Sequence, residues 1–203
     1  MLNTLEHWDK CATLWINSLH TPASDQIWLF FSAKSVWIPF YVLLLVLLFR
    51  RLGWKRALIA LAAIALTVVA CDQGANLIKN TVCRLRPNKD PWMIEHGVHI
   101  LEKGGLYGFF SAHAANCFGV AMCASRLMGT KKPSGVWRAY NPVIFTWAAL
   151  VAASRIFVAK HFLGDVLVGA SVGMLFGYIL ALCGRLLFSR VLEHDHKGNG
   201  DYQ

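Results

Sequence analysis

The chain has 203 residues, of which 56% are hydrophobic, and it carries a net charge of +9 from 20 basic and 11 acidic residues. Soluble domains are about 45–50% apolar, so this composition is typical of a membrane protein, and the length suits one domain. The basic residues cluster in short loops between apolar segments instead of forming one stripe, which argues against nucleic-acid binding and for a membrane topology.

The N-terminal region, residues 1–24, is predicted to be an amphipathic segment. Its start carries Glu6 and Asp9, so we do not expect a cleavable signal peptide. The stretch from Leu5 to Leu19 is short for a span, and it is expected either to lie at the membrane interface or to enter the membrane as an extra helix.

Five apolar stretches follow in chain order, at about 25–49, 57–79, 111–128, 141–159 and 162–188. Each reaches the length of about 17–25 residues that crosses the hydrocarbon core of a bilayer. We therefore predict an all-α polytopic membrane bundle of five to six helices, with a membrane domain over residues 25–192. The segment EHDHKGNGDYQ, residues 193–203, is polar and is predicted to be a disordered cytoplasmic tail.

Four of the six cysteines lie inside the apolar stretches, and we interpret them as small apolar side chains. They are Cys71, Cys117, Cys123 and Cys183.

The charges of the connecting loops predict an orientation. The segment RRLGWKR at 50–56, the loop 126–138 and the C-terminal segment are basic, which the positive-inside rule places in the cytoplasm. The loop 80–110 and the connection 155–161 then face the opposite side, yet they are basic as well. Because topology does not require these cations, they indicate an anionic ligand.

Two groups of polar residues lie at the outer ends of the second and third predicted spans. KNTVCRLRP, residues 79–87, contains Lys79, Arg84 and Arg86, which are alternatively interfacial side chains that snorkel to the membrane surface. YGFFSAHAAN, residues 107–116, places Ser111 and His113 at a helix N-terminus, where free backbone amides favour anions. Ser111 is alternatively a plain N-cap, and His113 an interfacial histidine.

A third group, SRIFVAKHFLGD, occupies residues 154–165. His161 and Asp165 are four residues apart, so on a helix the carboxylate can lie beside the imidazole and fix its tautomer. Arg155 carries a planar guanidinium that can bind two phosphate oxygens. Histidine and aspartate are also zinc ligands, but the cations around this group would repel a metal ion, so none is expected here.

The three groups together resemble the type 2 phosphatidic acid phosphatase (PAP2) superfamily, whose pattern is K-x6-R-P, then P-S-G-H, then S-R-x5-H-x3-D. The first part is matched by Lys79, Arg86 and Pro87, and the third by Ser154, Arg155, His161 and Asp165. The middle part is FSAH here, so Ser111 and His113 match, while Phe110 and Ala112 replace proline and glycine. Ala112 keeps the backbone N–H that approaches phosphate, provided that its φ is negative.

The resemblance implies hydrolysis of a phosphate ester through a phosphohistidine, without a metal or any other cofactor. His161 is then the nucleophile oriented by Asp165, and His113 protonates the leaving group and later activates water. The phosphate oxygens are expected to be held by Lys79, Arg86, Arg155, Ser111 and the amide of Ala112.

The resemblance to small bacterial members further implies a multi-pass protein of the bacterial inner membrane, with its site facing the periplasm. Its expected partners are a phosphorylated lipid substrate and membrane lipids, with no nucleic acid; the sequence carries no signal for an oligomeric state. Undecaprenyl diphosphate and lipid A are favoured slightly over phosphatidylglycerophosphate. The loop 88–110 is either the region that selects the substrate or a simple tether. A non-catalytic transporter or anion-binding scaffold is the alternative, and the soluble haloperoxidase branch of the superfamily is disfavoured by the spans.

Overall fold

The computed structural model describes residues 2–129 and 135–200, and these form a bundle of α-helices. Within those ranges there are seven, namely α1 (Leu2–Ser18), α2 (Pro22–Ser32), α3 (Ile38–Val82), α4 (Pro91–Glu95), α5 (Ala112–Met128), α6 (Val136–Phe157) and α7 (Leu163–Gly200), with a 3-10 turn at Ser35–Trp37. The predicted all-α membrane-type bundle is confirmed, and the helix count is slightly above the five to six expected.

The predicted first span, residues 25–49, is not one continuous helix. α2 ends at Ser32, and the amide of Ala33 donates to the carbonyls of Leu29 and Phe30 to close its last turn. The next α-helix begins at Ile38, with proline in its first turn. Proline has no N–H to donate, and its ring clashes with the carbonyl four residues earlier. A helix that begins earlier in the chain therefore cannot continue through this proline without a kink or a break. The break leaves Lys34 exposed between the two helices.

α3 reverses direction at Gly53, where the backbone has φ 70° and ψ 170°. Only glycine adopts this conformation without strain. In a straight helix Tyr41 and Val68 would lie about 40 Å apart, yet both line one cavity, so the limbs 38–52 and 54–82 run side by side. The predicted second span, 57–79, lies within the second limb, and the basic segment 50–56 surrounds the reversal.

Among the described residues, two helical stretches are long and apolar enough to cross a membrane. They are Ser35–Val82 and Leu163–Arg190, with mean hydropathies of 1.9 and 2.2. Large apolar side chains on both are exposed, among them Leu66, Leu77 and Leu175, as expected of surfaces that contact lipid. The predicted third span coincides with α5, whereas the fourth, α6, begins five residues before the predicted 141.

The helices α5 and α7 approach each other closely through glycines four residues apart. A Cβ atom added to Gly169, Gly173 or Gly177 would overlap a backbone carbonyl oxygen at the start or in the body of α5, that of Ala115 in the case of Gly173. Helix faces made of such small residues allow the backbones of two membrane helices to come into direct contact. The contact fixes the N-terminus of α5 beside the N-terminus of α7, where the amide of Ser111 donates to the carbonyl of Asp165 at 3.0 Å.

α7 continues as far as Gly200, so its helix extends past the predicted domain boundary at residue 192. Residues 201–203 of the predicted tail lie outside the described residues, as do Lys131 and Lys132 of the basic loop 126–138.

Candidate active site

The predicted site residues meet at one end of the bundle. Lys79 lies in the last turn of α3, Ser111 caps α5, Arg155 lies in the last turn of α6, and Asp165 lies in the first turn of α7. The basic residues at the opposite end cap α5 there: Arg51 donates to the carbonyl of Met128 at 3.4 Å, and Arg185 donates to that of Arg126.

Lys79 and His113 lie within electrostatic range of the rest of the group. Lys79 interacts with Arg86 and with the carboxylates of Asp72 and Asp165. His113 interacts with Arg155 and His161. The structure therefore brings every residue of the predicted catalytic and phosphate-binding sets into one cluster.

Arg86 is positioned by a short pairing of two loop segments. The amide of Arg86 donates to Leu106 O at 3.1 Å, and that of Gly108 donates to Arg84 O at 2.9 Å. The Arg86 guanidinium donates to Tyr107 O at 3.0 Å and to Lys160 O at 3.5 Å. A Cβ at Gly108 would lie 3.1 Å from Arg86 Cγ and 3.3 Å from Asp165 Oδ2, so a side chain there would crowd the site.

The N-terminus of α5 forms the anion-binding wall of the site. Ser111 is fully buried, and its Oγ accepts from the amide of Ala114 at 3.4 Å, so Ser111 is indeed an N-cap. The amides of Ala112 and His113 lie in the first turn and have no intrahelical acceptor. Ala112 is helical and is not among the residues with positive φ, so its amide keeps the geometry that the family pattern requires.

Arg155 is almost completely buried and is held by α2. Its Nη1 donates to Ser32 O at 3.4 Å and also to Ser32 Oγ, while its Nε is buried with no hydrogen-bond partner among the described residues. Glu102 accepts from Ser32 Oγ at 2.6 Å and forms an ion pair with Lys160. Burial raises the pKa of Glu102, but Lys160 and Ser32 outweigh this effect and lower it, so the carboxylate is ionised.

His161 does not lie on a helix with Asp165 as the spacing suggested. It precedes α7, and its Nδ1 is 3.7 Å from Asp165 Oδ2, longer than a hydrogen bond. Burial lowers the pKa of His161 to about 4, against the opposing effect of the Asp165 carboxylate. The imidazole is therefore neutral near pH 7 and carries a free lone pair.

Asp165 is held instead by Arg84, a residue that lies outside the tripartite pattern. Arg84 Nη1 donates to Asp165 Oδ1 at 2.7 Å, and its Nη2 donates to Asp9 Oδ2 at 2.7 Å. Its guanidinium also lies 4.1 Å above the ring of Phe162. Burial lowers the pKa of Arg84, but the two carboxylates outweigh it and raise the pKa, so the ion pair is intact.

The amphipathic helix α1 caps both helices that flank His161. Leu163 N donates to Thr13 Oγ1 at 2.9 Å, and Gly164 N donates to Asp9 Oδ1 at 2.8 Å, which satisfies two free amides of α7. Asn17 Nδ2 donates to the last carbonyls of α6 at 3.0 and 3.3 Å. Asp9, Thr13 and Asn17 are spaced four residues apart, and this polar face was the sequence signal that could have identified them.

An apolar cavity of about 550 Å³ leads away from the site. His113, Asp72 and Lys34 lie at its polar end, and the two limbs of α3, with α5 and α6, form its walls. Most of its lining is apolar, including Trp37, Tyr41, Leu44, Leu61, Val68 and Trp147. A lysine inside an apolar stretch is costly in a membrane and usually functional, so Lys34 was detectable from the sequence.

Comparison with known proteins agrees with the geometry. A model of the PAP2 superfamily matches residues 56–189, and the chain belongs to this superfamily as a membrane phosphatase. A lipid A 4'-phosphatase of Bacteroides thetaiotaomicron is 32% identical over 194 residues, which cover 94% of this chain and 83% of that protein. A second lipid A 4'-phosphatase, from Porphyromonas gingivalis, is 31% identical over 169 residues, or 82% and 69% of the two chains.

Two solved structures share the fold. A transmembrane PAP2-type phosphatidylglycerolphosphate phosphatase from Bacillus subtilis has a TM-score of 0.68 at 20% identity, over 88% of this chain and 85% of that one. LpxE from Aquifex aeolicus has a TM-score of 0.58 at 23% identity, over 83% and 92%. At these identities the likeness supports the fold alone.

Proposed function

We propose that this protein is a lipid A phosphatase that removes a phosphate group at the periplasmic face of the inner membrane through a phosphohistidine. The observation that carries the proposal is the convergence of two histidines, three cations and a helix N-terminus at one end of the bundle, where His113 also lines an apolar cavity. The identity of about a third with two lipid A 4'-phosphatases supports this substrate over undecaprenyl diphosphate and phosphatidylglycerophosphate.

In the first step His161 attacks phosphorus. Its Nδ1 faces Asp165, which leaves Nε2 as the attacking atom. The P–N bond forms as the bond from phosphorus to the sugar oxygen breaks, and His113 gives its proton to that oxygen. The products of this step are the lipid with a free hydroxyl group and a phosphorylated His161.

In the second step water displaces the histidine. His113, now neutral, accepts a proton from the water, whose oxygen bonds to phosphorus as the P–N bond breaks. Inorganic phosphate leaves and both histidines return to their starting protonation states. Throughout, Lys79, Arg86 and Arg155 are assigned to the phosphate oxygens together with the amides at the start of α5, because donors fixed in advance stabilise the developing charge most effectively. The unpartnered Nε of Arg155 supports this assignment, since a phosphate oxygen would give it an acceptor.

The cavity supports a lipid as the substrate. An open apolar channel beside the polar site can hold an acyl chain while the phosphate reaches His161, so the membrane supplies the substrate from the side. Lys34 lies where the polar end opens and is assigned to a second acidic group of the lipid.

The experiment that tests the mechanism is trapping of the intermediate. Wild-type protein is mixed with lipid A labelled with ³²P at its phosphates and quenched in alkali, where phosphohistidine survives. We expect label on the wild-type chain and none on His161→Ala purified in the same folded state. Equal labelling of the two proteins would refute His161 as the nucleophile, and a folded wild type that releases no phosphate from any lipid would favour a non-catalytic scaffold.

A further inference from the structure

Three side chains of types that commonly bind metal ions converge outside the active site. His20 lies in the turn between α1 and α2, Asp25 in the first turn of α2, and His99 in the outer loop after α4, with their donor atoms all within 4.8 Å of one another. His99 Nε2 is 3.0 Å from Asp25 Oδ2, and His20 Nδ1 is 3.6 Å from Asp25 Oδ1.

The group leaves two buried polar atoms unsatisfied. His20 Nδ1 and Asp25 Oδ1 are both inaccessible to solvent and have no hydrogen-bond partner among the described residues. They face each other at a separation too long for a hydrogen bond. Buried groups of this kind are rare in native proteins because each costs free energy, and a metal ion between the two atoms would satisfy both.

The backbone holds His99 firmly in place. His99 N donates to Asn17 Oδ1 at 2.8 Å, and Asn17 Nδ2 donates to His99 O at 3.1 Å. The loop is therefore fixed to α1 through both the amide and the carbonyl of His99, and His99 is directed at α2 before any ligand binds. A metal site requires such preorganised donors.

We propose that His20, Asp25 and His99 bind a divalent transition-metal ion, with Zn²⁺ as the ion that two imidazoles and one carboxylate suit best. Tetrahedral zinc with bonds of about 2.0–2.1 Å separates its ligand atoms by about 3.3 Å. His99 Nε2 is hydrogen-bonded to Asp25 Oδ2 at 3.0 Å and His20 Nδ1 is 3.6 Å from Asp25 Oδ1, so both separations are close to this value, but the carboxylate must rotate to present one oxygen to an ion that both imidazoles bind. Water takes the fourth position.

Binding requires a small rearrangement of the two imidazoles. Their rings are stacked at 3.6 Å between centroids and are 4° from parallel, so they must tilt for both lone pairs to meet at one ion. Both side chains are about one third exposed, at 31% and 32%, and they adjoin a second cavity of about 560 Å³ that also reaches Cys11 and His96. The cavity gives the rings room to tilt and gives the ion a path from solvent.

The bound ion acts as a staple between α2 and the outer loop. Glu102, three residues after His99, binds Ser32 of α2 and pairs with Lys160, the neighbour of His161. The ion therefore stabilises the loop that covers the active site, and it takes no part in the reaction at phosphorus. The proposal does not depend on the lipid substrate or on catalysis.

The test measures Zn²⁺ binding by purified protein without a histidine tag, in detergent, after EDTA treatment and exchange into metal-free buffer. We expect one Zn²⁺ per chain by elemental analysis, a Co²⁺ complex with tetrahedral visible absorption, and a Tm that rises with added Zn²⁺. The variant His99→Ala should bind at least tenfold more weakly and lose the rise in Tm. His96→Ala is the matched control, because it removes a nearby histidine of the same cavity that lies outside the group, and it should bind as wild type does.

Asp25→Asn provides a second variant whose side chain keeps its size, and it too should bind at least tenfold more weakly. Wild-type protein that binds no Zn²⁺ would overturn the proposal, as would wild-type affinity in either His99→Ala or Asp25→Asn. Loss of binding in His96→Ala equal to that in His99→Ala would also overturn it, since the ligands would then not be the three assigned.

Discussion

Replacement of Arg84 tests whether the ion pair behind Asp165 positions His161, the proposed nucleophile. In Arg84→Met the side chain stays long but loses both hydrogen bonds of 2.7 Å, to Asp165 and to Asp9. Asp165 is fully buried, and among the described residues the hydrogen bond left to its carboxylate is the one from the amide of Phe162 at 3.0 Å. A buried carboxylate that loses its cation costs about 3–5 kcal/mol or takes up a proton, and a neutral Asp165 no longer orients His161.

The expected effect has a kinetic signature. A displacement of about 1 Å at the reacting atoms costs about 100-fold in rate, so kcat should fall by about that factor with little change in KM. Arg84→Lys keeps the charge but reaches one carboxylate at a time, so it should recover part of kcat. Asp9→Asn leaves the contact with Asp165 intact and should cost less than Arg84→Met.

The assay is phosphate release at saturating lipid A, together with the Tm of each variant in detergent. Lys89→Met is the matched control, because Lys89 is an exposed cation of the same loop, and it should behave as wild type. Wild-type kcat in Arg84→Met would refute the positioning role. A loss of kcat that merely follows the folded fraction, with no recovery in Arg84→Lys, would reduce Arg84 to a structural residue.

Four further predictions concern chelation, inhibition, packing and orientation. EDTA should leave the initial rate of phosphate release unchanged, because protein cations neutralise the phosphate and the proposed zinc lies elsewhere. A rate that is lost to EDTA and restored by Mg²⁺ would contradict this prediction. Vanadate should inhibit the enzyme as an analogue of five-coordinate phosphorus. Gly173→Leu should abolish folding, because ordinary overpacking already costs about 1–3 kcal/mol and the new Cβ would overlap the backbone of α5. Ser171→Leu is the control, because Ser171 is exposed on the same helix, and this variant should fold normally. Equal Tm values for the two variants would refute the close contact between α5 and α7. Cys83 is exposed at the end of α3 that carries the site, and Cys183 is exposed on α7. In a background with Cys11→Ser and Cys183→Ser, a membrane-impermeant maleimide should therefore label Cys83 in intact spheroplasts. Labelling only after lysis would place the site in the cytoplasm.

The sequence predicts the helix bounds well where the length of an apolar run determines them. α5 and the start of α7 fall within a residue of their predicted bounds, because Ser111 is a strong N-cap and the apolar runs behind both are long. The break at Lys34 does not show in the averaged hydropathy, because long apolar runs on both sides outweigh the short polar stretch around Lys34. The sequence predicts the reversal at Gly53 only as a basic loop.

Within the candidate site, the residues that belong to the tripartite pattern were predictable from the sequence. The residues of the tripartite pattern cluster as expected, because the pattern itself encodes which helix ends carry them. The partnership of Arg84 with Asp9 was not predictable from local spacing, since 75 residues separate the two in the chain. Only the tertiary packing of α1 against the junction of α6 and α7 shows that an amphipathic N-terminal helix supports the segment that carries His161.

The measurement that tests the central claim most directly is phosphate release by the purified protein, in detergent with EDTA, from lipid A, undecaprenyl diphosphate and phosphatidylglycerophosphate in parallel. The account predicts that lipid A is turned over with the highest kcat/KM, that its product has lost one phosphate group, and that His161→Ala gives no turnover above background. A clear preference for either of the other lipids would contradict the substrate assignment, and turnover by His161→Ala close to that of wild type would contradict the site itself.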